Sequence, residues 1–277
     1  MVTGYSEDAL IEQPAVALFA SLGWETAGCY DETYGHSATL GRETRGDVVL
    51  VRQLLPALRR LNPGVSNGSL VLALEEMVRD RSAMSSVEAN REVYRLLKDG
   101  HRVVLLSLED GEEQVETVQY LDWQHPENND FFLASQFWVT GEMYTRRCDL
   151  VGFVNGIPLV LIELKAIDKD LKNAYDDNLT DYKATIPQLF WYNQLVILSN
   201  GSESRAGTVT AEWEHFGEWK RVASEDEAPL VSLETMIRGT CEKGRLLDLV
   251  ENFVLFKEAP GGLVKVAAKN HQYLGVN

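Results

Sequence analysis

The stretch RRCDLVGFVNGIPLVLIELKA, from Arg146 to Ala166, decides the fold, because it predicts one β-hairpin at the centre of the chain. Its two apolar, β-branched runs are Leu150 to Val154 and Leu159 to Leu164. The dipeptide Asn155-Gly156 between them is typical of a tight turn between antiparallel strands. The hairpin therefore predicts a buried pair of strands inside a β-sheet.

Charged side chains near the ends of this hairpin are unusual, since an ionised group withdrawn from water needs a partner or a metal. Glu163 and Lys165 stand two residues apart, so on a strand they share a face, and Leu164 points to the other side. Together with Asp149, Glu163 supplies the paired carboxylates that can hold a hard divalent cation such as Mg²⁺. A neighbouring amine can orient or deprotonate a water that attacks a phosphodiester.

The register of the hairpin decides whether the two carboxylates meet. A two-residue turn pairs residue 154 with 157 and places Asp149 opposite Ile162, on the wrong face for Glu163. A three-residue loop, Asn155 to Ile157, pairs 154 with 158 and Asp149 with Glu163. We therefore predict a three-residue loop or a bulge, and a regular two-residue turn would count against a metal site.

Composition limits the class of protein. The chain has 277 residues, 45% of them hydrophobic, which is enough to bury a sizeable core. Its net charge of −16 argues against a protein that binds nucleic acid over its whole surface. It does not exclude nucleic-acid binding in a local cleft. The excess of acidic residues is interpreted as keeping the chain soluble; the alternative is that it docks onto basic partner subunits. Cys29, Cys148 and Cys241 lack disulfide or zinc spacing and are expected to be buried thiols.

The chain contains no apolar run long enough to cross a membrane, and its first residues lack the pattern of a signal peptide. We therefore expect a cytoplasmic protein with no membrane partner.

Helical patterns dominate the first hundred residues. A helix from Ser6 to Leu22 carries Glu12 early, where spacing alone favours an ordinary solvated acid. The region near residues 45–98 reads as a helical insertion. Three helices are predicted in it: one that begins after Gly46 and ends at Leu61, one from Ser69 to Asp80 and one from Ser86 to Lys98.

The pattern then changes to that of strands. The segments expected to form strands and one long helix are Val103 to Leu108, Val115 to Trp123, Phe131 to Thr140, the hairpin, a helix from Lys169 to Ala184, and Leu195 to Leu198. A turn is predicted at Asp110-Gly111. This order predicts an α/β fold, a mixed central sheet flanked by helices.

The tail is predicted as a helix from Leu233 to Phe256 and a short strand from Leu263 to Ala267. The chain then stops within a patterned segment, which predicts a piece of a longer protein. We divide it into a first domain, residues 1–230, and residues 231–277 as a helical linker with the start of a second domain.

The hairpin with its following helix and strand resembles the PD-(D/E)xK nuclease superfamily, with Asp149 at its Asp and Cys148 at its less strictly kept Pro. More closely, the chain resembles the nuclease portion of the R subunit of type I restriction-modification enzymes. The segments that carry this resemblance are Asn129-Asp130-Phe131, Arg147-Cys148-Asp149, Gly156 to Val160, Ile162 to Lys165, Ile186 to Phe190 with Tyr192-Asn193, and Ser199-Asn200-Gly201.

The resemblance implies a restriction-endonuclease-like core and assigns roles within it. Asp149 and Glu163 would be Mg²⁺ ligands, the carbonyl of Leu164 a further ligand, and Lys165 would position or activate water. Glu12 matches an acidic residue that some members place on their first helix, as an added metal ligand.

The family's Gln-x-x-x-Tyr element has two candidates in this chain. Asn178 and Tyr182 lie on the expected helix, where residues four apart share a face, and we favour them for a role near the DNA backbone. Gln188 and Tyr192 match the letters but follow Pro187, and they are expected to be structural.

The activity implied is Mg²⁺-dependent cleavage of double-stranded DNA, in a complex with methyltransferase and specificity subunits. The resemblance makes residues 231–277 a helical linker and the start of a truncated helicase-type motor domain. It implies ATP-driven translocation for the parent protein and not for this chain, since no GxxxxGK(S/T) loop occurs in these residues. The residues leave two other hypotheses open. One is a catalytically silent module that binds partner subunits, and the other is a nuclease of a different restriction or repair system.

Overall fold

A computed structural model of the chain describes residues 11–106, 113–224, 227 and 230–276. Its strands, in chain order, are β1 Glu25–Gly28, β2 His101–Leu106, β3 Glu113–Val118, β4 Phe131–Thr140, β5 Thr145–Val154, β6 Ile157–Leu164, β7 Leu195–Ser199, β8 Ser204–Gly207, β9 Val254–Ala259 and β10 Gly262–Ala267. Within the described residues, six strands form one sheet in the order β1-β4-β5-β6-β7-β8. The pairs β2-β3 and β9-β10 form two separate hairpins.

The helices, in chain order, are α1 Gln13–Ser21, α2 Val51–Leu61, α3 Asn67–Val78, α4 Ser86–Asp99, a π-helix Ala174–Leu179, α5 Thr180–Thr185, α6 Pro187–Phe190, α7 Ser232–Cys241, α8 Lys243–Asn252 and α9 Asn270–Val276. In the sheet, β1 runs parallel to β4 and β6 parallel to β7, and the other neighbours are antiparallel. The predicted α/β fold with a mixed central sheet is confirmed, and it is compatible with a restriction-endonuclease-like core.

The helices of the predicted insertion form where the apolar spacing placed them. Ser85 begins α4 with a capping box, since its side chain accepts from the N–H of Glu88 and the Glu88 carboxylate accepts from the N–H of Ser85. Residue Ser6 and the turn Asp110-Gly111, both assigned from the sequence, lie outside the described residues.

Other boundaries differ from those predicted. The strand expected from Val115 to Trp123 ends at Val118, and the helix expected from Lys169 begins as a π-helix at Ala174. The tail helix expected to reach Phe256 ends at Asn252, and β9 follows, so that prediction was wrong at its end. The division into domains at residue 230 stays a prediction.

The strands β6 and β7, inside the sheet, are fully enclosed in the protein. All residues of β6 and β7 are buried, which explains their nearly continuous apolar sequence. Two strands enclosed on both sides leave little room for charge, and Glu163, which is only 2% exposed, is the one charged residue on β6 and β7.

The hairpin β5-β6 turns through two residues, and the predicted three-residue loop is wrong. Val154 pairs with Ile157, and Asn155 and Gly156 have φ angles of 51° and 80°. Positive φ at both central positions is the conformation that Asn-Gly adopts most readily, and its twist matches that of the flanking strands.

The hairpin is nevertheless irregular, and the bulge predicted as the other solution is confirmed. Phe153 pairs with Pro158, but Gly152 pairs with Val160, so Leu159 is an extra residue on β6. Its carbonyl accepts a hydrogen bond of 2.7 Å from the N–H of Gln194, at the entrance to β7. The bulge shifts the register by one residue beyond it.

Candidate active site on the central hairpin

The shifted register brings the two predicted carboxylates to one face. The last backbone pair of the hairpin is Leu150 with Ile162, so continuing that register places Asp149 opposite Glu163. Oδ2 of Asp149 accepts a hydrogen bond of 2.8 Å from the backbone N–H of Leu164. Asp149 is therefore fixed against the strand that carries Glu163.

Lys165 follows directly after β6 and continues its pairing with β7, since its N–H donates to the carbonyl of Ser199 at 2.8 Å. Its Nζ lies 3.9 Å from Oε1 of Glu163. It also donates to Oδ1 of Asn178 at 2.5 Å. The Lys165 side chain is 21% exposed against 3% for that of Glu163, so the amine lies between the core and solvent.

The backbone of Leu164 offers a further oxygen beside the carboxylates. Within a strand, the N–H and C=O of one residue point to the same neighbouring strand. Because the Leu164 N–H points to Asp149, its carbonyl is directed to the same side. Asp149, Glu163 and this carbonyl thus form a group of oxygen donors, with the Lys165 amine beside Glu163.

Asn178 and Tyr182 join this site. Asn178 lies on the π-helix and holds Lys165, and Tyr182 on α5 donates its hydroxyl to the carbonyl of Arg147 at 3.0 Å. Burial raises the pKa of Tyr182 far above its usual value, nearby Glu163 raises it further, and a hydrogen bond with Asn178 opposes the shift. Tyr182 is therefore a neutral hydrogen-bonding group next to the carboxylates.

The literal Gln-x-x-x-Tyr pair lies elsewhere. Gln188 donates to the carbonyl of Thr140 at 2.8 Å, and Tyr192, which is buried, donates to the carbonyl of Met77 at 2.9 Å. Both side chains tie chain segments together. The geometry favours Asn178 and Tyr182 over this pair for a role at the site.

Glu12 is connected to the candidate site through Gln136, a residue that the sequence pattern did not single out. The amide of Gln136 donates to Oε2 of Glu12, which is only 6% exposed. On β4, Gln136 lies between Ser135, which pairs with Leu150, and Phe137, which pairs with Cys148, so it stands level with Asp149. Its φ of 56° is rare outside glycine. A polar residue inside the apolar run of β4 was the available signal.

Cys148, next to Asp149 on β5, is completely buried. Burial raises the pKa of its thiol well above the usual value, and Glu163 and Asp149 raise it further. The thiol therefore stays protonated and contributes packing beneath the carboxylates.

The chemistry of the donors suits a hard cation. Mg²⁺ is commonly held by one or two carboxylates together with water. Within the described residues, no group of three or more His, Cys, Asp or Glu side chains gathers to hold a metal. A cation here would use Asp149, Glu163 and the Leu164 carbonyl, and these ligand roles, like that of Glu12, stay predictions.

The fold, together with the sheet face that carries Asp149 and Glu163, defines the class of protein: an α/β protein with a restriction-endonuclease-like core. The family described as type I restriction enzyme R protein N terminus matches residues 4–215, and the chain belongs to this family. None of the helices in the described residues is long and apolar enough to span a membrane.

Relatives support this assignment. The type I restriction enzyme HindI endonuclease subunit of Haemophilus influenzae is 35% identical over 96% of this chain, which covers 26% of that protein. A relative from Methanocaldococcus jannaschii is 28% identical over 98% of the chain, which covers 27% of it. The type I restriction enzyme EcoprrI endonuclease subunit of Escherichia coli is 27% identical over 54% of the chain. The chain thus spans about a quarter of the length of the first two relatives.

Proposed function

We propose that this chain is the nuclease part of a type I restriction enzyme and cleaves double-stranded DNA with Mg²⁺. The observation that carries the proposal is the register after the bulge at Leu159, which places Asp149 opposite Glu163, with Lys165 beside Glu163. The names of the relatives, endonuclease subunits of type I enzymes, support the same activity. Methyltransferase and specificity subunits are its proposed partners, and ATP-driven translocation belongs to the remaining length of such a protein.

Asp149, Glu163 and the carbonyl of Leu164 are the groups that would hold Mg²⁺. When bound, the cation would stabilise the negative charge that develops on the phosphate. The N–H of Leu164 keeps the Asp149 carboxylate in place without a bound ligand. A preformed set of oxygen donors lowers the entropic cost of ordering these groups when the cation binds.

Lys165 is the residue proposed to orient the attacking water. Its ammonium carries three N–H donors, and one of them is directed to Asn178. The contact with Asn178 fixes the amine beside Glu163, so that a second N–H can hold a water near the carboxylates. Tyr182 stabilises this arrangement through Asn178 and through the backbone of Arg147.

The decisive experiment compares three variants in the assembled restriction complex. Asp149→Ala, Glu163→Ala and Lys165→Ala are each expected to abolish DNA cleavage and to leave ATP hydrolysis unchanged. Cleavage that persists in all three would overturn the assignment. If the wild-type complex cleaved no DNA and the three variants failed to assemble into the complex, the catalytically silent docking module would be favoured.

A further inference from the structure

Aromatic rings and arginines alternate on the surface beside the candidate active site. The guanidinium carbon of Arg45 lies 5.3 Å from the ring centre of Tyr34 and 4.9 Å from that of Trp138. The guanidinium carbon of Arg147 lies 5.5 Å from the ring of Trp138 and 5.3 Å from that of Tyr30. We call Tyr34, Arg45, Trp138, Arg147 and Tyr30 the arginine–aromatic stack.

The inner end of the stack is anchored in the core. Arg42 is 1% exposed, its guanidinium carbon lies 4.0 Å from the ring centre of Phe137 and 5.2 Å from that of Tyr34, and it forms an ion pair of 2.5 Å with Glu32. The hydroxyl of Tyr34 donates to the same Glu32 carboxylate at 3.2 Å. The first ring of the stack is therefore held by a buried, charge-paired residue.

Backbone contacts fix the middle and outer members. The carbonyl of Arg45 accepts from the N–H of Thr140 at 2.9 Å, and the indole N–H of Trp138 donates to the carbonyl of Tyr30 at 3.1 Å. Guanidiniums packed between rings lose less freedom when they bind an anion, because their planes are already oriented. The stack is thus an ordered surface, although its last ring, Tyr30, is 58% exposed.

The stack lies on the same face of the sheet as the carboxylates. Trp138 on β4 pairs directly with Arg147 on β5. Arg147 and Asp149 are two residues apart on β5, so their side chains share a face and their Cα atoms are about 7 Å apart. The carbonyl of Arg147 also accepts a hydrogen bond from the hydroxyl of Tyr182, which connects the stack to the candidate site.

The charges of the stack are available to a ligand. Within the described part of the chain, neither Arg45 nor Arg147 forms an ion pair with a carboxylate, whereas the adjacent Arg42 and Arg146 pair with Glu32 and Asp181. In a chain of net charge −16, two such arginines next to an acidic site form a local cationic surface. That surface complements a phosphodiester backbone.

We propose that Arg147 and Arg45 bind the phosphates of duplex DNA next to the bond to be cleaved, with Trp138, Tyr34 and Tyr30 holding the guanidiniums in place. The inference rests on the proposed function, since it takes DNA as the substrate. It adds two binding residues and three positioning residues. It also explains how a strongly acidic chain holds a polyanion at this face.

The test measures binding of the 277-residue chain to a mixed-sequence DNA duplex over a range of salt concentrations, with a chelator to prevent cleavage. Arg147→Ala and Arg45→Ala are each expected to weaken binding about tenfold. Each should also lower the slope of log affinity against log salt by about 0.9. Arg147→Lys keeps the charge but loses the flat stacking, so its slope is retained and its affinity falls by less.

Arg102→Ala is the matched control, because Arg102 is an exposed arginine on the separate hairpin β2-β3, and it should bind as the wild type does. Thermal unfolding checks that each variant is folded. Wild-type affinity and slope in both stack variants would overturn the inference, as would absence of salt-dependent binding by the wild-type chain. Tighter binding of single-stranded DNA, with Trp138→Leu as the most damaging change, would assign the rings to base stacking and also overturn it.

Failure of the inference is distinguishable from failure of the proposed function, because binding is measured without a cation and without cleavage. If the stack variants bind weakly while Asp149→Ala still cleaves, the phosphate contacts stand and the catalytic assignment falls. If the stack variants bind normally while Asp149→Ala is inactive, the reverse holds.

Discussion

The N–H of Leu164 donates to Oδ2 of Asp149 at 2.8 Å, so a side chain joins the ends of the central hairpin where the backbone pairing stops. This bond couples the position of a carboxylate to the register of the strand opposite. A one-residue change of register would carry Glu163 to the other face and remove the donor from Asp149. The fold itself therefore assembles the candidate site before any ligand arrives.

Asp149→Asn separates this structural contact from the proposed chemistry. The amide oxygen of Asn can still accept from the Leu164 N–H, so we expect the free energy of unfolding to change by less than about 1 kcal/mol. DNA cleavage by the assembled complex should fall by about 100-fold or more, because a neutral amide binds a hard dication poorly. Urea denaturation and a cleavage assay measure the two effects.

The matched control is Asp130→Asn, at an exposed aspartate that pairs with Arg60 just before β4. Its cleavage rate should equal that of the wild type. An Asp149→Asn enzyme as active as the control would show that the carboxylate charge is not needed.

Asn178→Ala tests which residues serve the Gln-x-x-x-Tyr role. Removing the acceptor of the Lys165 ammonium releases the amine from its position beside Glu163. We expect cleavage to fall about 10-fold to 100-fold, as for other residues that orient reactive groups, with DNA affinity unchanged. Single-turnover cleavage and a binding assay separate the two quantities.

Gln188→Ala is the comparison for that experiment. Its side chain contacts the carbonyl of Thr140, and its loss should reduce stability by about 1 kcal/mol without lowering the cleavage rate. If Gln188→Ala lost cleavage and Asn178→Ala kept it, the two candidate pairs would have to be exchanged.

The hairpin illustrates what the sequence could and could not predict. Two apolar, β-branched runs separated by Asn-Gly indicate two antiparallel strands, because the two-residue turn between them needs positive φ at both positions. The charge on Glu163 requires a register in which it meets a partner. The position of the bulge could not be predicted from the sequence. Leu159 bulges where its carbonyl accepts from the N–H of Gln194, and these two residues are far apart in the sequence.

Other parts escaped prediction for similar reasons. Strand β1, Glu25–Gly28, is short and mostly exposed, so it carries no apolar alternation, and pairing with β4 alone makes it a strand. The arginine–aromatic stack joins residues from five separate positions, and only the folded sheet brings them together. Local patterns cannot encode such contacts.

Gly156→Ala tests the two-residue turn. The position has a φ of +80°, and an added Cβ would lie 2.5 Å from the carbonyl oxygen of Leu50. The left-handed conformation alone costs a residue with a side chain about 1–2 kcal/mol. With the contact added, we expect a loss of about 3 kcal/mol in the free energy of unfolding, measured by urea denaturation. Gly64→Ala, where a Cβ meets nothing within 4 Å, should change it by less than about 0.5 kcal/mol.

Acid sensitivity should arise partly from Glu92 on α4. Its Oε1 accepts from the buried Arg81 at 2.8 Å and from Arg79 at 2.5 Å. Burial raises the pKa of the Glu92 carboxyl, but the two guanidiniums outweigh burial and hold that pKa below its ordinary 4.5. Because the folded state binds this proton less readily than the unfolded state, the stabilisation is complete above pH 4.5 and is lost as pH falls through the lowered pKa.

Glu92→Gln should therefore be less stable than the wild type by about 2 kcal/mol at neutral pH, since it leaves the Arg81 guanidinium without this carboxylate. The difference in the free energy of unfolding should shrink as the pH is lowered below 4.5, where the wild-type carboxyl takes up its proton. Urea denaturation at several pH values measures this convergence. Glu75→Gln, at an exposed position on α3, should follow the wild-type curve, and a Glu92→Gln curve that stays parallel to the wild type at every pH would contradict the assignment.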